Sequence, residues 1–412
     1  GLVGFYYLDA NASTVFDVLL DTTGQIIGLP GLNAQTFGEV NTETWSIFGD
    51  FTYDITDRLH LTLGARYTED TRSSVVKRST FIGGFSEFFG GSPILIATTS
   101  DFNGEADFDD FSPRLSVAYD LTDNSNIYFT YAQGFKGGGF DPRGQTTAAP
   151  DLDGDGTVSP SEVFQFMQFD PEEVDSFEVG YKANHLNGKL NYSLAGFYSD
   201  YKNVQVPGSV GVDTDGDGVS DSFTGVTTNA GAATIWGIEF EGNYSFAEAV
   251  FNSDDLFNAS WSLGYLDAQY DEFIDATGTD VADQRVIQNT PDWTASLRLA
   301  YDTPFTIANN QGNMLINVMA SYRGDSSQFE APSAYLDQDA FTLLDASLRW
   351  EAASGKWGVS LQGKNLTDER YIVAGYNFVN EATLAPTLGL EGTLTGFYGD
   401  PRTFTLGIDF EF

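Results

Sequence analysis

The residues with the clearest chemistry are oxygen donors in the twelve-residue segment 151–162. Aspartates occupy positions 1, 3 and 5, Gly156 follows at position 6, and a glutamate closes the segment at position 12. This is the spacing of an EF-hand calcium loop, in which glycine permits the sharp turn and hard oxygen ligands surround Ca²⁺. The segment therefore predicts a calcium site, with a solvated acidic turn as the alternative. The candidate ligands are Asp151, Asp153, Asp155, Thr157 through its carbonyl, Ser159 and Glu162.

The end of this segment also predicts a helix. Ser159 and Glu162 have the spacing of a capping box, and Pro160 stands at the first helical position. We expect a short helix over about 160–168, and no entering helix because Pro150 precedes the loop. The segment thus predicts half of an EF-hand.

A second Asp-rich segment, 213–221, repeats much of the same spacing and resembles the shorter calcium loops of extracellular repeat proteins. Thr224 stands where the closing glutamate of an EF-hand loop would be, so we expect this site to be the weaker one. A solvated turn is again the alternative. The candidate ligands are Asp213, Asp215, Asp217, Val219 through its carbonyl, and Asp221.

Catalytic chemistry is not expected from this sequence. The two histidines, His60 and His185, have no metal-ligating neighbours in the sequence and belong to no credible Ser/His/Asp set. The glycine run at 136–139 lacks the spacing of a phosphate-binding loop and is better explained as a strand end entering a flexible loop. We therefore predict no enzyme activity and no catalytic cofactor.

Composition excludes other classes of function. The chain has 59 acidic and 19 basic residues, a net charge of −40, and no cysteine. Nucleic-acid binding needs clustered Lys and Arg, so a nucleic-acid partner is excluded, as is adhesion to an anionic membrane surface. Without cysteine there is no disulfide framework or thiol chemistry. The 34 Phe, 20 Tyr and 44 Gly suit strands, turns and interfacial aromatic girdles.

The elements that must position these loops are strands with strict period-2 alternation. At the end of the chain, Phe404, Leu406, Ile408, Phe410 and Phe412 share one face, and Thr403, Thr405, Gly407, Asp409 and Glu411 share the other. Full charges of both signs recur on the polar faces, where a dry core would reject them and a hydrated lumen accepts them. This pattern predicts an all-β, transmembrane, antiparallel up-and-down β-barrel. Residues expected to face lipid are Trp45, Ile47, Phe51, Leu61, Leu63, Phe240, Leu348 and Phe410, and those expected to face the lumen are Arg66, Arg114, Glu239, Arg298 and Arg349.

Connections of alternating length orient this barrel. We expect about fourteen strands, each near the ~9–11 residues that a tilted membrane strand needs. They lie near 2–9, 43–54, 59–70, 111–121, 126–135, 174–183, 188–201, 231–246, 257–270, 293–303, 312–323, 341–351, 356–365 and 403–412. Long connections span 10–42, 71–110, 136–173, 202–230, 271–292, 324–340 and 366–402, and short ones alternate with them. Long loops are extracellular in such barrels, so both Asp-rich segments should lie outside the cell, in loops 136–173 and 202–230.

Several segments, in order along the chain, resemble the barrel of TonB-dependent outer-membrane receptors: 57–70, 111–119, 127–139, 170–181, 229–242 and 364–371. The resemblance implies an outer-membrane protein of a Gram-negative bacterium that imports a scarce nutrient, most commonly an iron chelate such as a ferric siderophore. It implies outer-membrane lipid, a small-molecule nutrient and the TonB energy-coupling protein as partners. The family's barrels have about 22 strands and contain a plug domain. Because this sequence has no plug and room for about fourteen strands, we expect residues 1–412 to be the C-terminal part of such a barrel, cut from a longer precursor.

Two other functions stay open at this point. Fourteen is an even number of strands, so the chain is also compatible with a small closed barrel that acts as a passive, porin-like channel. Direct pairing of the first strand with the last would favour that channel. The third possibility is a secreted soluble β-protein with calcium sites. The residues that bind an imported ligand are unknown from the sequence.

Overall fold

One antiparallel sheet of 14 strands forms most of the structure, a computed structural model of the chain. The structure describes residues 1–20, 24–25, 27–84, 92–212, 222–229, 231–275, 279–377, 379–380, 385–386 and 394–411. In chain order the strands are β1 (Leu2–Leu19), β2 (Asn33–Thr56), β3 (Leu59–Ile82), β4 (Ile94–Thr122), β5 (Ser125–Lys136), β6 (Gly139–Phe140), β7 (Gln168–Phe169), β8 (Glu172–His185), β9 (Leu190–Lys202), β10 (Gln205–Val212), β11 (Ser222–Asn229), β12 (Gly231–Glu248), β13 (Leu256–Phe273), β14 (Trp293–Ile307), β15 (Asn310–Arg323), β16 (Phe341–Ala352), β17 (Trp357–Lys364), β18 (Ile372–Asn377), β19 (Val379–Asn380), β20 (Ala385–Pro386), β21 (Leu394–Tyr398) and β22 (Thr403–Phe410).

Helices are few in the described ranges. They include the α-helix α1 (Pro160–Met167) and the short 3₁₀ turns Thr146–Ala148 and Ala282–Gln284, and residues 24–25 are also helical. None of these helices has the length and apolar character that crossing a lipid bilayer would require.

The large sheet is an up-and-down meander. Its order is β1-β2-β3-β4-β5-β8-β9-β12-β13-β14-β15-β16-β17-β22, so each strand pairs with the next long strand along the chain. The remaining strands form the two-stranded pairs β6–β7, β10–β11, β18–β21 and β19–β20 within the long connections. All fourteen strands expected from the alternation are present in the large sheet.

The register gives this sheet one apolar and one polar face. Leu63 lies opposite Phe51 on β2 and Leu115 on β4, and Leu115 lies opposite Tyr131 on β5. These partners share a face because directly opposed residues of antiparallel strands point the same way. The next residue, Gly64, lies opposite Arg114 and begins the polar face. Following the register across the sheet places every residue expected to face lipid on the apolar face and every residue expected to face the lumen on the polar face.

Two of the expected long loops are largely strand. Instead of loops over 10–42 and 71–110, β1 and β2 pair as far as Leu19 and Asn33, and β3 and β4 pair as far as Ile82 and Ile94. The connections shrink to 20–32 and 83–93. The expectation was wrong because the outer face turns acidic in this region, which hides the apolar alternation. In β4, for example, Asn103 and Glu105 are exposed, while Phe102 and Gly104, which alternate with them, are buried.

The other five long connections and the short turns at the opposite end agree with the expectation. Strands β1 and β22 lie at the two edges of the sheet. Over the described part of the chain, which includes all of both strands, no pairing joins β1 to β22. The direct contact that would favour a closed fourteen-strand channel is therefore not observed between these strands.

Candidate functional site

The structure brings together the three aspartates that open the first calcium motif. One carboxylate oxygen each from Asp151, Asp153 and Asp155 lies within 4.8 Å of the others, and all three side chains are exposed. Asp151 accepts hydrogen bonds from the N–H groups of Gly154 at 2.7 Å and Gly156 at 2.8 Å. Both glycines have positive φ, +73° and +89°, a conformation that costs glycine little. The predicted turn and its oxygen cluster are therefore formed.

The second half of the motif extends this turn toward the helix. Asp153 accepts a hydrogen bond from the N–H of Asp155 at 3.0 Å. Asp155 accepts bonds from the N–H of Thr157 at 2.8 Å and from its hydroxyl at 2.7 Å. These bonds fix the direction of the carboxylates, so a cation would meet oxygens that already point to one place.

Glu162 lies apart from the three aspartates, at the base of the loop. Its Oε1 accepts hydrogen bonds from the N–H groups of Leu152 at 2.6 Å and Asp153 at 3.2 Å. Its Oε2 accepts bonds from the N–H of Ser159 at 2.7 Å and from the hydroxyl at 2.8 Å. The bonds from Ser159 and then Leu152 lower the pKa of Glu162 to about 2. Glu162 thus closes the loop, and its role as a bidentate ligand stays a prediction.

Helix α1 follows the loop as the capping box predicted. Ser159 is the N-cap, Pro160 is at the start, and Ser159 and Glu162 make the reciprocal bonds of a capping box. At the other end of the helix, Met167 is buried in an apolar cluster with Val76, Phe102 and Phe140. The helix therefore packs against the inner, lumenal face of β3 and β4.

The glycine run after β5 lets the chain cross this inner face closely. A Cβ added at Gly137 would collide with the carboxylate of Asp70, and one added at Gly138 would collide with the ring of Phe108. Asp70 is nearly fully buried and is paired with Arg72 at 2.7 Å. The run is thus a strand end entering a loop, as expected, and its glycines permit the loop to pack on the barrel wall.

The ligands expected in the second motif, Asp213, Asp215, Asp217, Val219 and Asp221, lie outside the described residues. The structure describes only the flanking strands β10 and β11, which form a hairpin beside the first loop. The second calcium site therefore stays a prediction.

Charged residues on the inner wall pair between strands, and the first two of these pairs reach across an intervening strand. Arg114 contacts Asp50 at 3.1 Å, and Arg349 contacts Asp409 at 3.1 Å. His60 contacts Asp54 at 2.6 Å through Nδ1 and Asp120 at 3.1 Å through Nε2.

The carboxylate partners of His60, which bond to opposite ring nitrogens, were not predicted from the sequence. The signal was present in the hairpin register, because Asp54 lies directly opposite His60 across the short turn between β2 and β3. The contact with Asp120 depends on β4 and could not be found in the same way.

Comparison with known proteins gives a consistent picture. Residues 1–366 match the sequence model of the family described as TonB dependent receptor-like, beta-barrel. The pesticin receptor of Yersinia enterocolitica is 22% identical over 367 residues, which are 87% of this chain and 45% of that receptor. The metal-pseudopaline receptor CntO of Pseudomonas aeruginosa is 25% identical over 301 residues, 72% of this chain and 33% of that receptor. The chain thus spans less than half the length of these curated relatives.

Solved structures show the same architecture. The ferric yersiniabactin uptake receptor FyuA from Yersinia pestis superposes with a TM-score of 0.61 at 20% identity, over 91% of this chain and 46% of that one. The copper transporter OprC superposes with a TM-score of 0.58 at 14% identity, over 93% of this chain and 54% of that one. At these identities the likeness concerns the fold.

Proposed function

Because the chain belongs to the TonB-dependent receptor family, as part of its β-barrel in the Gram-negative outer membrane, we propose that the protein imports a scarce nutrient across that membrane. The observation that carries the proposal is the family match over residues 1–366. The sheet agrees with this role, since its apolar face suits lipid and its charged face suits a hydrated lumen. Energy would come from the TonB protein through a plug domain outside this sequence.

For the cargo, we propose a metal chelate, with a ferric siderophore as the first candidate. The names of the relatives support this class: one takes up ferric yersiniabactin, one is a receptor for metal-pseudopaline, and one is a copper transporter. The inner wall supplies charges of both signs, which suit a polar or charged chelate.

Uptake in iron-starved cells tests this proposal. Cells that produce the complete receptor are given ferric siderophores labelled with radioactive iron, with and without a functional TonB protein. We expect uptake that requires both the receptor and TonB. Receptor-dependent uptake that continues without TonB would instead support the passive channel.

We propose in addition that the loop at 151–162 binds Ca²⁺. The three converging carboxylates of Asp151, Asp153 and Asp155 support this, because without a cation their charges repel one another. Extracellular calcium sites bind at about 10⁻⁴–10⁻³ M, a range in which the medium keeps them occupied. Calorimetric titration of the purified protein with CaCl₂ tests the site, and the absence of binding heat at millimolar calcium would leave a plain acidic turn.

A further inference from the structure

We propose that Asp141 and Thr227 couple the cation loop at 151–162 to the neighbouring hairpin β10–β11, so that ordering of the loop also orders the hairpin. The part of this proposal that concerns cation binding rests on the calcium site proposed above. The coupling itself follows from a continuous set of contacts that runs from the loop to the hairpin.

The first step of this path joins helix α1 to Asp141. The backbone N–H of Asp141 donates to the carbonyl of Met167, the last residue of α1, at 3.2 Å. Strands β6 and β7, which lie just before Asp141 and just after Met167, pair with each other. Phe140 and Met167 are both buried in the same apolar cluster. The end of the helix and Asp141 therefore hold a fixed relative position.

The second step joins Asp141 to the hairpin. Asp141 is only 4% exposed. Its Oδ1 accepts bonds from the N–H of Arg143 at 2.9 Å and from Nε of Arg143 at 3.0 Å. Its Oδ2 accepts one bond from Nη2 of Arg143 at 2.6 Å and one from the hydroxyl of Thr227 on β11 at 2.9 Å. Burying a carboxylate costs free energy unless its oxygens are paired. The Thr227 hydroxyl therefore helps to stabilise the buried carboxylate of Asp141.

A separate group of bonds fixes the base of the hairpin. The side-chain amide of Gln205 donates to the carbonyls of Gly137 and Asp170, each at 3.0 Å. Asn229, which lies opposite Gln205 in the hairpin, exchanges two bonds with the backbone of Asp170 at 2.8 and 2.9 Å. These contacts hold the hairpin base at the two ends of the first loop, 136–173, where it leaves β5 and enters β8.

The positions of the two groups decide which contact transmits the coupling. Gln205 and Asn229 contact the ends of the first loop, near β5 and β8, where the barrel wall already restrains the chain. Thr227 lies two residues farther into the hairpin and contacts Asp141, which is tied to the helix that follows the cation loop. Loss of the Thr227 hydroxyl should therefore uncouple the hairpin from the cation loop and leave the hairpin base in place.

Glu162 connects the cation loop to the beginning of this path, because its carboxylate ties the start of the cation loop to the first turn of α1. Coupling between two sites is reciprocal in free energy, and it needs a structural element whose state both sites influence. Here that element is the unit formed by α1, β6, β7 and Asp141.

Hydrogen exchange measured by mass spectrometry on the full chain in detergent micelles tests the coupling. Peptides that cover 151–168 and 222–229 report on the cation loop and on the hairpin, with and without millimolar CaCl₂. In the unmodified protein, we expect calcium to slow exchange in both peptides, about fivefold or more in the hairpin, at the low end of typical coupling. In Thr227→Val, we expect the slowing to persist at 151–168 and to be lost in the hairpin.

Thr228→Val is the matched control, because Thr228 is the next residue of β11 and its side chain points to the opposite face of the hairpin. This variant should respond to calcium like the unmodified protein. Arg143 still pairs with Asp141 in Thr227→Val, so the variant retains the principal partner of the buried carboxylate.

A second arm needs no calcium. Glu162→Ala opens the base of the cation loop and should speed exchange in the hairpin when Thr227 is present, but not in the Thr227→Val background. The coupling is overturned if hydrogen exchange in the hairpin peptide changes neither when calcium is added to the unmodified protein nor when Glu162→Ala is introduced. If calcium alone has no effect on either peptide, the calcium site fails, and the Glu162→Ala arm still decides the coupling.

Discussion

The carboxylate of Glu162 accepts two hydrogen bonds from Ser159, one from the backbone N–H at 2.7 Å and one from the hydroxyl at 2.8 Å. Ser159 is at the same time the N-cap of helix α1. The Glu162 side chain thus takes part in the capping box that begins the helix and also closes the loop before it. The charge state of Glu162 therefore affects both the helix and the loop.

The first prediction concerns acid. Because the pKa of Glu162 is lowered to about 2 from an ordinary value of 4.5, its contribution to loop stability is complete above about pH 4.5. That contribution is lost progressively as the pH falls toward 2. We expect the loop at 151–168 to open in this window, which hydrogen exchange corrected for intrinsic rates would detect.

Glu162→Gln should remove most of this pH dependence, because the amide does not titrate. Asp109→Asn, a change at an exposed carboxylate on β4, is the control and should leave the acid opening of the loop unchanged. Equal acid opening in Glu162→Gln and in the unmodified protein would contradict the role of Glu162.

The second prediction concerns calcium affinity. Whether Glu162 turns to ligate the cation or keeps holding the loop closed, Glu162→Ala should weaken calcium binding at this site by about tenfold or more, as losses around metal sites typically do. Asp153→Asn should weaken it through the loss of a ligand charge. Calorimetric titration measures both, and an unchanged affinity in both variants would return the segment to a solvated turn.

The third prediction concerns the two faces of the sheet. Leu63 is 53% exposed on the apolar face, between Phe51 and Leu115. Arginine at a lipid-facing site near the membrane midplane costs about 2–4 kcal/mol, so Leu63→Arg should impair folding into lipid vesicles. Heat-dependent gel mobility reports the folded fraction.

Thr62→Arg is the matched control, because it introduces the same side chain one residue earlier, on the polar face. It removes only the contact between the hydroxyls of Thr62 and Thr52. Equal folding defects in the two variants would show that the apolar face is not in lipid.

The fourth prediction concerns the short-turn end of the wall. His60 lies between the carboxylates of Asp54 and Asp120, and His60→Leu leaves these two acids without their shared partner. We expect a lower urea midpoint for unfolding, with a deficit that depends on salt concentration because the groups are partly solvated. His185→Leu is the comparison, since His185 contacts the ring of Tyr192 rather than a carboxylate. A larger loss of stability in His185→Leu than in His60→Leu would contradict the stabilising role of the His60 contacts.

How far the sequence predicts this fold depends on what surrounds each strand. Between lipid and lumen, alternation is unmistakable: the expected strand 59–70 lies within β3, and the expected last strand is found as β22, as far as Phe410. Above the membrane, the outward side chains meet water and become acidic, so β4 near Glu105 has period-2 burial without an apolar outer face. The inner face is then covered by a distant loop, which no local pattern reveals.

The candidate site divides in the same way. The converging aspartates and the start of α1 follow from local spacing, because each contact spans a few residues. The bonds from Gln205 to Gly137 and from Thr227 to Asp141 join residues more than sixty positions apart. Such contacts depend on which hairpins are neighbours in the sheet, and that is settled only when the wall is assembled.

The extended strands β1 to β4 have a consequence for how copies of the protein share a membrane. Their outward face places Asp9 beside Glu43, and Glu69 beside Asp109, in exposed rows that begin at the level of Trp45. Two copies approaching flank to flank on this side would bring these rows together, and like charges repel over a screening distance of about 8 Å at physiological ionic strength. We therefore expect this flank to resist the close approach of a second copy of the protein.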